Sequence, residues 1–210
     1  MSDEITSLAD IVRRHAAERP DVAALVHAGR TTSYGALDRA ASRVANGLLA
    51  EGLKRGSRVA HLDKSTDHFF ELLFGASKAG AAMVSVNWRL AAPEVQHIVN
   101  DARAEILFVG EEFFPVIEKI RDELKTVRKV VALGARHPAW ESYEAWRDRH
   151  PDSDPMLPAS LGDTAVQFYT SGTTGLPKGA ELTNRNFAWM MPRWTRTWLL
   201  GPGVPNLVCL

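Results

Sequence analysis

The sequence predicts an α/β fold in which a mostly parallel sheet is covered by helices on both faces. Short apolar runs rich in β-prone residues alternate along the chain with stretches whose apolar residues recur at helical spacing. This alternation is typical of parallel sheets whose strands are buried on both sides. The composition agrees with a folded core, because 45% of the 210 residues are apolar and 24% are charged.

The first two predicted helices lie before residue 52. The opening helix has an apolar face of Leu8, Ile11 and Val12 and ends before Pro20. A short strand at 23–27 follows and turns at Gly29 and Arg30. Ser33 is a suitable N-cap for the second helix, and Gly52 is a natural stop after it. Its apolar residues recur on one face, at Leu37, Ala41, Val44 and Leu48.

Strands and helices then alternate up to residue 133. The predicted strands cover residues 58–62, 82–86, 106–109 and 130–133. A third helix starts near Thr66 and ends at Gly80, and we expect it to bury Phe69, Phe70, Leu73 and Phe74. Pro93 suits the first turn of a fourth helix, whose apolar face is formed by Val95, Ile98 and Val99. A fifth helix has its apolar face at Val116, Ile117, Ile120 and Leu124.

The segment 151–161 separates two parts of the chain. It has three prolines and no periodicity, which is typical of a linker. We therefore predict an N-terminal α/β subdomain over 1–150, a linker over 151–163 and the start of a second subdomain over 164–210. The last part would hold a hairpin, a helix and the beginning of a further strand at 206–210.

Charge and cysteine content exclude several classes of protein. The chain has 25 basic and 25 acidic residues and a pI near 7.1, so a basic nucleic-acid-binding surface is not expected. The single cysteine, Cys209, excludes an internal disulfide framework. The acidic start lacks the layout of a secretion signal, and no apolar stretch is long enough to span a membrane. We expect a cytoplasmic protein without a transmembrane segment.

The segment from Thr170 to Gly179 has the composition of a phosphate-binding loop. Four hydroxyl side chains, three glycines and Lys178 occupy ten positions directly after a strand predicted at 164–169. Glycines let backbone N–H groups turn inward and form an anion-binding concavity, and lysine adds a compact positive charge. The alternative is a mobile polar turn. Pro177, which restricts the backbone directly before the lysine, counts against that alternative.

Three better-known motifs do not fit this loop. Lys178 lies between Pro177 and Gly179, whereas a Walker A loop has glycine before the lysine and Ser or Thr after it. Ser171 lacks the G-x-S-x-G frame of a hydrolase elbow. Gly201 and Gly203 have no third glycine at the spacing of a dinucleotide fingerprint.

The ten residues resemble, in full, the phosphate-loop signature of the adenylate-forming enzymes, the superfamily of acyl-CoA synthetases, luciferases and peptide-synthetase adenylation domains. Milder similarity occurs at residues 32–34, 78–81, 87–94 and 182–186. Asn184 stands where the family often has histidine, and we expect it to cap the following helix. The resemblance implies that the chain is the N-terminal, incomplete part of the family's large α/β domain.

The resemblance also implies a reaction and its cofactors. A carboxylate would attack the α-phosphate of ATP, giving acyl-adenylate and pyrophosphate, and a thiol, usually coenzyme A, would then take the acyl group. Mg²⁺ is expected with the nucleotide. The residues implied to hold the β- and γ-phosphates are Thr170, Ser171, Gly172, Thr173, Thr174, Gly175 and Lys178. The family's catalytic residues lie further on, so none is expected within this chain, and none of its residues is expected to bind metal.

The overall similarity is to bacterial fatty-acid–CoA ligases, with aryl acids, short-chain acids and carrier-protein thiols as alternatives. We expect the chain to be the N-terminal piece of such a ligase and to be inactive alone. A catalytically dead nucleotide-binding or interaction module is the second hypothesis.

Two further groups of residues have a functional and a structural interpretation. The seven histidines show no H-x-x-x-H spacing and have no cysteine cluster beside them, so no zinc site is expected, and His97 is predicted to be a partly buried structural residue. The tryptophan-rich segment 189–199 is predicted to be a core helix kinked at Pro192. The alternatives for it are an acyl-chain wall or a helix in peripheral contact with a membrane.

Overall fold

A computed structural model describes residues 5–170, 176–198, 201 and 204. The helices are α1 Leu8–Glu18, α2 Tyr34–Ala50, α3 Asp67–Lys78, α4 Ala92–Asp101, α5 Phe114–Ile120, α6 Tyr143–Asp148 and α7 Asn184–Thr197. The strands are β1 Ala23–His27, β2 Arg30–Ser33, β3 Arg58–Leu62, β4 Ala82–Ser85, β5 Ala104–Gly110, β6 Lys129–Leu133, β7 Glu141–Ser142, β8 Thr164–Thr170 and β9 Lys178–Thr183. The strand predicted at 206–210 lies outside the described residues.

Seven of these strands form one sheet, in the order β7-β6-β5-β3-β4-β8-β9. All neighbouring pairs from β7 to β8 are parallel, and only β9 runs antiparallel, to β8. The chain passes from β3 to β4 on one side and then crosses back to β5 on the other. Because the parallel strands share a direction, their carboxyl ends lie at one edge of the sheet, where open α/β sheets bind ligands.

Helices cover both faces of the sheet, as predicted. On one face the strands pack against the apolar residues of α4 and α5, including Val95, Ile98 and Ile117. On the other face they pack against α2, α3 and α6, including Leu48, Leu72 and Trp146. Successive residues of a strand contact the helices of one face and then of the other. Because both faces are buried, the strands are continuous apolar runs in the sequence.

The prediction of which α3 residues are buried was wrong. Phe69, Phe70, Leu73 and Phe74 are only half-buried, whereas Leu72, Gly75 and Ala76 are buried. The cause is the close approach of α2, since a Cβ added at Gly75 would overlap the Val44 side chain. Two helices that approach this closely bury small residues at their contact, so the aromatic residues lie beside it.

The segment 151–163 has no helix or strand, but it is tied to the preceding helices. Asn46 Nδ2 on α2 donates hydrogen bonds to the backbone oxygens of Pro151 and Ser153, at 2.8 Å each. Beyond it, β8 pairs with β4 in the same sheet as the preceding strands. The division into two subdomains therefore remains a prediction.

The end of the described chain differs from the prediction in two respects. The N-cap of α7 is Thr183, whose backbone N–H donates to Asn186 Oδ1 at 2.8 Å, and Asn184 is instead buried with its Nδ2 donating to the Ser160 oxygen at 3.0 Å. Among the described residues, the helix is also not packed as a core helix. Trp189 and Trp198 are each 62% exposed, because α7 packs on the described residues mainly through its first turns.

None of the described helices has both the length and the hydropathy that crossing a membrane would require.

His61 is a buried histidine on β3. It is 2% exposed, it packs edge-on against Phe69, and no partner for its Nε2 atom occurs among the described residues. Burial, with a smaller electrostatic contribution from His68, lowers the pKa of His61 from 6.5 to about 3. The folded protein therefore holds His61 neutral, while the unfolded chain takes up a proton near pH 6.5.

The free energy of unfolding should consequently fall with acidification below pH 6.5, because His61 binds a proton in the unfolded state but not in the folded state. The expected contribution is about 1.4 kcal/mol per pH unit. Urea unfolding of the chain and of His61→Phe, at neutral pH and at about pH 5, measures it. The variant should have the shallower pH dependence, and equal slopes in the two proteins would contradict this assignment.

Candidate functional site

The β8–β9 hairpin presents the predicted loop at the carboxyl edge of the sheet. β8 is parallel to β4, so the chain leaves β8 at the same edge as it leaves the other parallel strands. The strands pair in register up to Thr170 opposite Lys178, and these two residues therefore form the base of the loop. The hairpin thus holds the ends of the loop where a ligand of this sheet is expected.

Two of the seven predicted phosphate-binding residues lie within the described chain. Thr170 is the last residue of β8 and Lys178 the first of β9, and both side chains are exposed. Ser171, Gly172, Thr173, Thr174 and Gly175 lie outside the described residues. Within the described part, no carboxylate forms an ion pair with Lys178. Its ammonium group is therefore available to an anion.

Gly179 allows the hairpin to pack tightly behind Lys178. It lies opposite Tyr169 in the hairpin register. A Cβ at Gly179 would lie 2.6 Å from Gln167 Nε2 and 3.0 Å from Tyr169 Cζ, so both side chains would have to move to make room for it. The absence of a side chain here lets the Tyr169 ring lie across β9 directly beside the loop.

A line of hydrogen bonds connects the hairpin to the centre of the sheet and to α4. Arg58 Nε on β3 donates to Gln167 Oε1 at 3.3 Å, and Gln167 Nε2 donates to Tyr169 Oη at 3.0 Å. Tyr169 Oη in turn donates to Asp101 Oδ2 at 2.6 Å. Burial, and then the Asp101 carboxylate, raise the pKa of Tyr169 well above its usual value, so the hydroxyl keeps its proton.

His97 on α4 contacts the other end of the loop. Its Nε2 atom lies 3.1 Å from the backbone oxygen of Pro177. A cleft of about 430 Å³ separates α4 from the end of the loop and is lined by His97, Asp101, Leu176, Pro177, Lys178 and Gly179. His97 is partly buried, as expected, but its hydrogen bond to this loop was not predicted.

Sequence reasoning missed Tyr169, Asp101 and His97 as neighbours of the loop. Tyr169 directly precedes the loop, and this position at the end of the strand could have indicated that its side chain lies beside the loop. Asp101 and His97 lie 68 and 80 residues before their partners, and nothing local indicates such a contact.

No group of three or more His, Cys, Asp or Glu side chains that could hold a metal occurs in the part of the chain that the structure describes.

Comparison with known proteins decides the family. The sequence matches the profile described as "AMP-binding enzyme" over residues 12–208, which is nearly the whole chain. The chain belongs to the AMP-binding enzyme family. This portion of an AMP-binding enzyme contains the hairpin, the sheet and the helices described above.

Similar proteins differ in the acids that their names specify. The chain is 44% identical over 185 residues to a fatty acid–[acyl-carrier-protein] ligase, ScoC, of Streptomyces coeruleorubidus, covering 88% of this chain and 34% of that protein. It is 37% identical over 180 residues to a feruloyl-CoA synthase of an Amycolatopsis species, and this match covers 84% of this chain and 33% of that protein. The chain therefore spans about one third of the length of these relatives.

Solved structures agree with the fold. The crystal structure of the anthranilate CoA ligase AuaEII in complex with anthranoyl-AMP superposes with a TM-score of 0.87 and 29% sequence identity. The match covers 90% of this chain and 37% of that one. The seven-stranded sheet and its flanking helices thus correspond to the N-terminal part of an adenylate-forming enzyme.

Proposed function

We propose that this AMP-binding chain supplies the phosphate-binding loop of an ATP-dependent acid–thiol ligase. The protein would join a carboxylic acid to AMP, release pyrophosphate and then transfer the acyl group to a thiol. The observation that supports this proposal best is the position of Lys178. Its exposed ammonium group begins β9, at the base of a loop with a complete phosphate signature and at the ligand-binding edge of the sheet.

In the first step a carboxylate oxygen forms a bond to the α-phosphorus, and the bond from that phosphorus to the bridging oxygen of pyrophosphate breaks. In the second step the thiol sulfur bonds to the acyl carbon, AMP leaves and the thiol proton is released to solvent or base. The negative charge that develops on the leaving pyrophosphate would be stabilised by Lys178, by Thr170 and by the loop residues Ser171, Gly172, Thr173, Thr174 and Gly175.

ATP fits the side chains of this hairpin, because a lysine without an ion-pair partner in the described chain and a hydroxyl at the base of the loop are donors suited to phosphate oxygens. Mg²⁺ is proposed to accompany the nucleotide. No group of three or more His, Cys, Asp or Glu side chains that could hold a metal occurs among the described residues, so the phosphate oxygens of the nucleotide would supply at least part of its ligands.

We propose a fatty acid as the substrate. The proposal rests on similarity over the first 150 residues and is supported by the 44% identity to a fatty acid–[acyl-carrier-protein] ligase. The same relative favours a carrier-protein thiol as an acceptor besides coenzyme A. The feruloyl and anthranilate relatives make aryl acids the alternative substrate class.

An assay of the full-length protein tests both the proposed acid substrate and the proposed thiol acceptor. Acid-dependent exchange of pyrophosphate into ATP is measured with fatty acids of several lengths, with ferulate and with anthranilate. Each acid that supports exchange is then offered with coenzyme A or with a phosphopantetheinylated carrier protein. Exchange with fatty acids is expected, and exchange with aryl acids alone would contradict the proposed substrate. The 210-residue chain alone is expected to show no exchange.

A further inference from the structure

We infer that α4 fixes both ends of the phosphate loop, with His97 and Asp101 as positioning residues for Lys178. The inference deepens the proposed function and rests on it. His97 holds the loop at Pro177, directly before Lys178. Asp101 holds it at Tyr169, directly before Thr170. We call these two residues and their bonds the α4 clamp.

The spacing on α4 makes this arrangement possible. His97 and Asp101 are four residues apart in one helix, so their side chains lie one above the other on the same face. That face is turned toward the cleft between α4 and the end of the loop, which both residues line. One helix face thus contacts Tyr169 on β8 and Pro177 directly before β9, at positions on either side of the loop.

The donors and acceptors of the clamp are determined by chemistry. The Pro177 carbonyl oxygen can only accept, so His97 Nε2 is the donor of the 3.1 Å hydrogen bond. A carboxylate also only accepts, so Tyr169 donates to Asp101. Tyr169 Oη can still accept from Gln167, which satisfies the hydroxyl fully.

The helix that bears the clamp is itself held rigidly. Val95, Ile98 and Val99 are fully buried in the core on this face of the sheet. At the other side of α4, Asn100 Nδ2 donates to the Glu123 oxygen at 2.9 Å, and Asn100 Oδ1 accepts from the Lys125 backbone at 2.8 Å. Residues bound to such a helix, here Tyr169 and Pro177, are held in place before a ligand arrives, so less conformational entropy is lost at these positions on binding.

Four variants of the full-length enzyme test the clamp. His97→Ala removes the bond at Pro177, and Tyr169→Phe removes the bond at Asp101 without removing the ring. His97→Gln keeps an N–H donor and should restore the bond. Gln96→Ala on the same helix is the matched control, because Gln96 makes no hydrogen bond to residues 176–179 in the described structure.

The clamp predicts a selective loss in the ATP-dependent half-reaction. His97→Ala and Tyr169→Phe should each raise KM for ATP in pyrophosphate exchange about fivefold, the loss expected for one hydrogen bond. Thioester formation from preformed acyl-adenylate and the melting temperature should stay close to those of wild type. His97→Gln and Gln96→Ala should have a nearly unchanged KM for ATP.

Unchanged KM for ATP in both His97→Ala and Tyr169→Phe would overturn the clamp, as would equal losses in the two half-reactions. Lys178→Ala, assayed in parallel, separates this result from failure of the proposed function. If Lys178→Ala impairs exchange while the clamp variants do not, only the clamp is wrong. If Lys178→Ala has no effect, the phosphate role of the loop is wrong as well.

Discussion

Replacing Lys178 with alanine in the full-length enzyme should slow acid-dependent pyrophosphate exchange about 100-fold, the effect typical of removing one charge-stabilising donor from an active site. Lys178 is exposed at the base of the loop, and no carboxylate among the described residues neutralises it. Its charge is therefore free to act on the β- and γ-phosphates. Thioester formation from preformed acyl-adenylate should change much less, because no pyrophosphate is present in that step.

Two further variants test whether the effect of Lys178→Ala comes from the lost positive charge beside the phosphates. Lys178→Arg keeps the positive charge and should retain more exchange activity than Lys178→Ala. Lys119→Ala makes the same chemical change at an exposed lysine on α5 and should leave both half-reactions unchanged. Equal losses in the two half-reactions of Lys178→Ala would argue against a phosphate role for this residue.

Replacing Lys78 with methionine should lower the free energy of unfolding by about 3 kcal/mol, as expected when one partner of a buried ion pair is removed. The Lys78 side chain is fully buried, and its Nζ lies 2.6 Å from Asp38 Oδ1, 2.7 Å from Asp154 Oδ2 and 2.8 Å from Ser42 Oγ. Burial tends to raise the pKa of Asp154, but hydrogen bonds from Arg13 and Lys78 outweigh it and hold that pKa below its ordinary value. Methionine would leave Asp38 without an ion-pair partner among the described residues.

An exposed pair in the same chain provides the control. Lys64 and Glu112 also meet at 2.6 Å, but their side chains are 47% and 58% exposed. Lys64→Met should therefore cost less than about 1 kcal/mol. Urea unfolding of both variants measures the difference. Adding Asp38→Asn to Lys78→Met should recover part of the loss, because the unpaired charge is removed. Equal costs for the two lysines would show that burial does not determine their contributions.

Local periodicity was sufficient to predict most helices and strands of the sheet, but it predicted neither the two-residue edge strand β7 nor the short helix α6. The spacing of Leu37, Ala41, Val44 and Leu48 predicted a buried face of α2, and all four are at most 2% exposed. Ser33 caps this helix by accepting a hydrogen bond from the Ala36 N–H, as expected. These features depend on residues within one or two turns of each other, so they can be read directly from the chain.

Burial that depends on a neighbouring element was predicted less well. Phe69 and Phe70 are more apolar than Gly75, yet Gly75 is the residue that α2 covers. Lysine is among the residues least often buried, yet Lys78 is 1% exposed. Its acidic partners, Asp38 and Asp154, come from distant parts of the chain. The fold brings them next to Lys78, and their ion pairs offset the cost of burying its charge.

The amino-acid order alone determined that this is an α/β protein with a phosphate-type loop after a strand, because strand and helix periodicities and the ten-residue signature are local properties. Only the tertiary structure placed that loop beside α4, where Asp101 meets Tyr169 and His97 meets Pro177. Such contacts join residues that the crossover from β4 to β5 brings together. The order of strands in a sheet is a global outcome of packing, which no local pattern specifies.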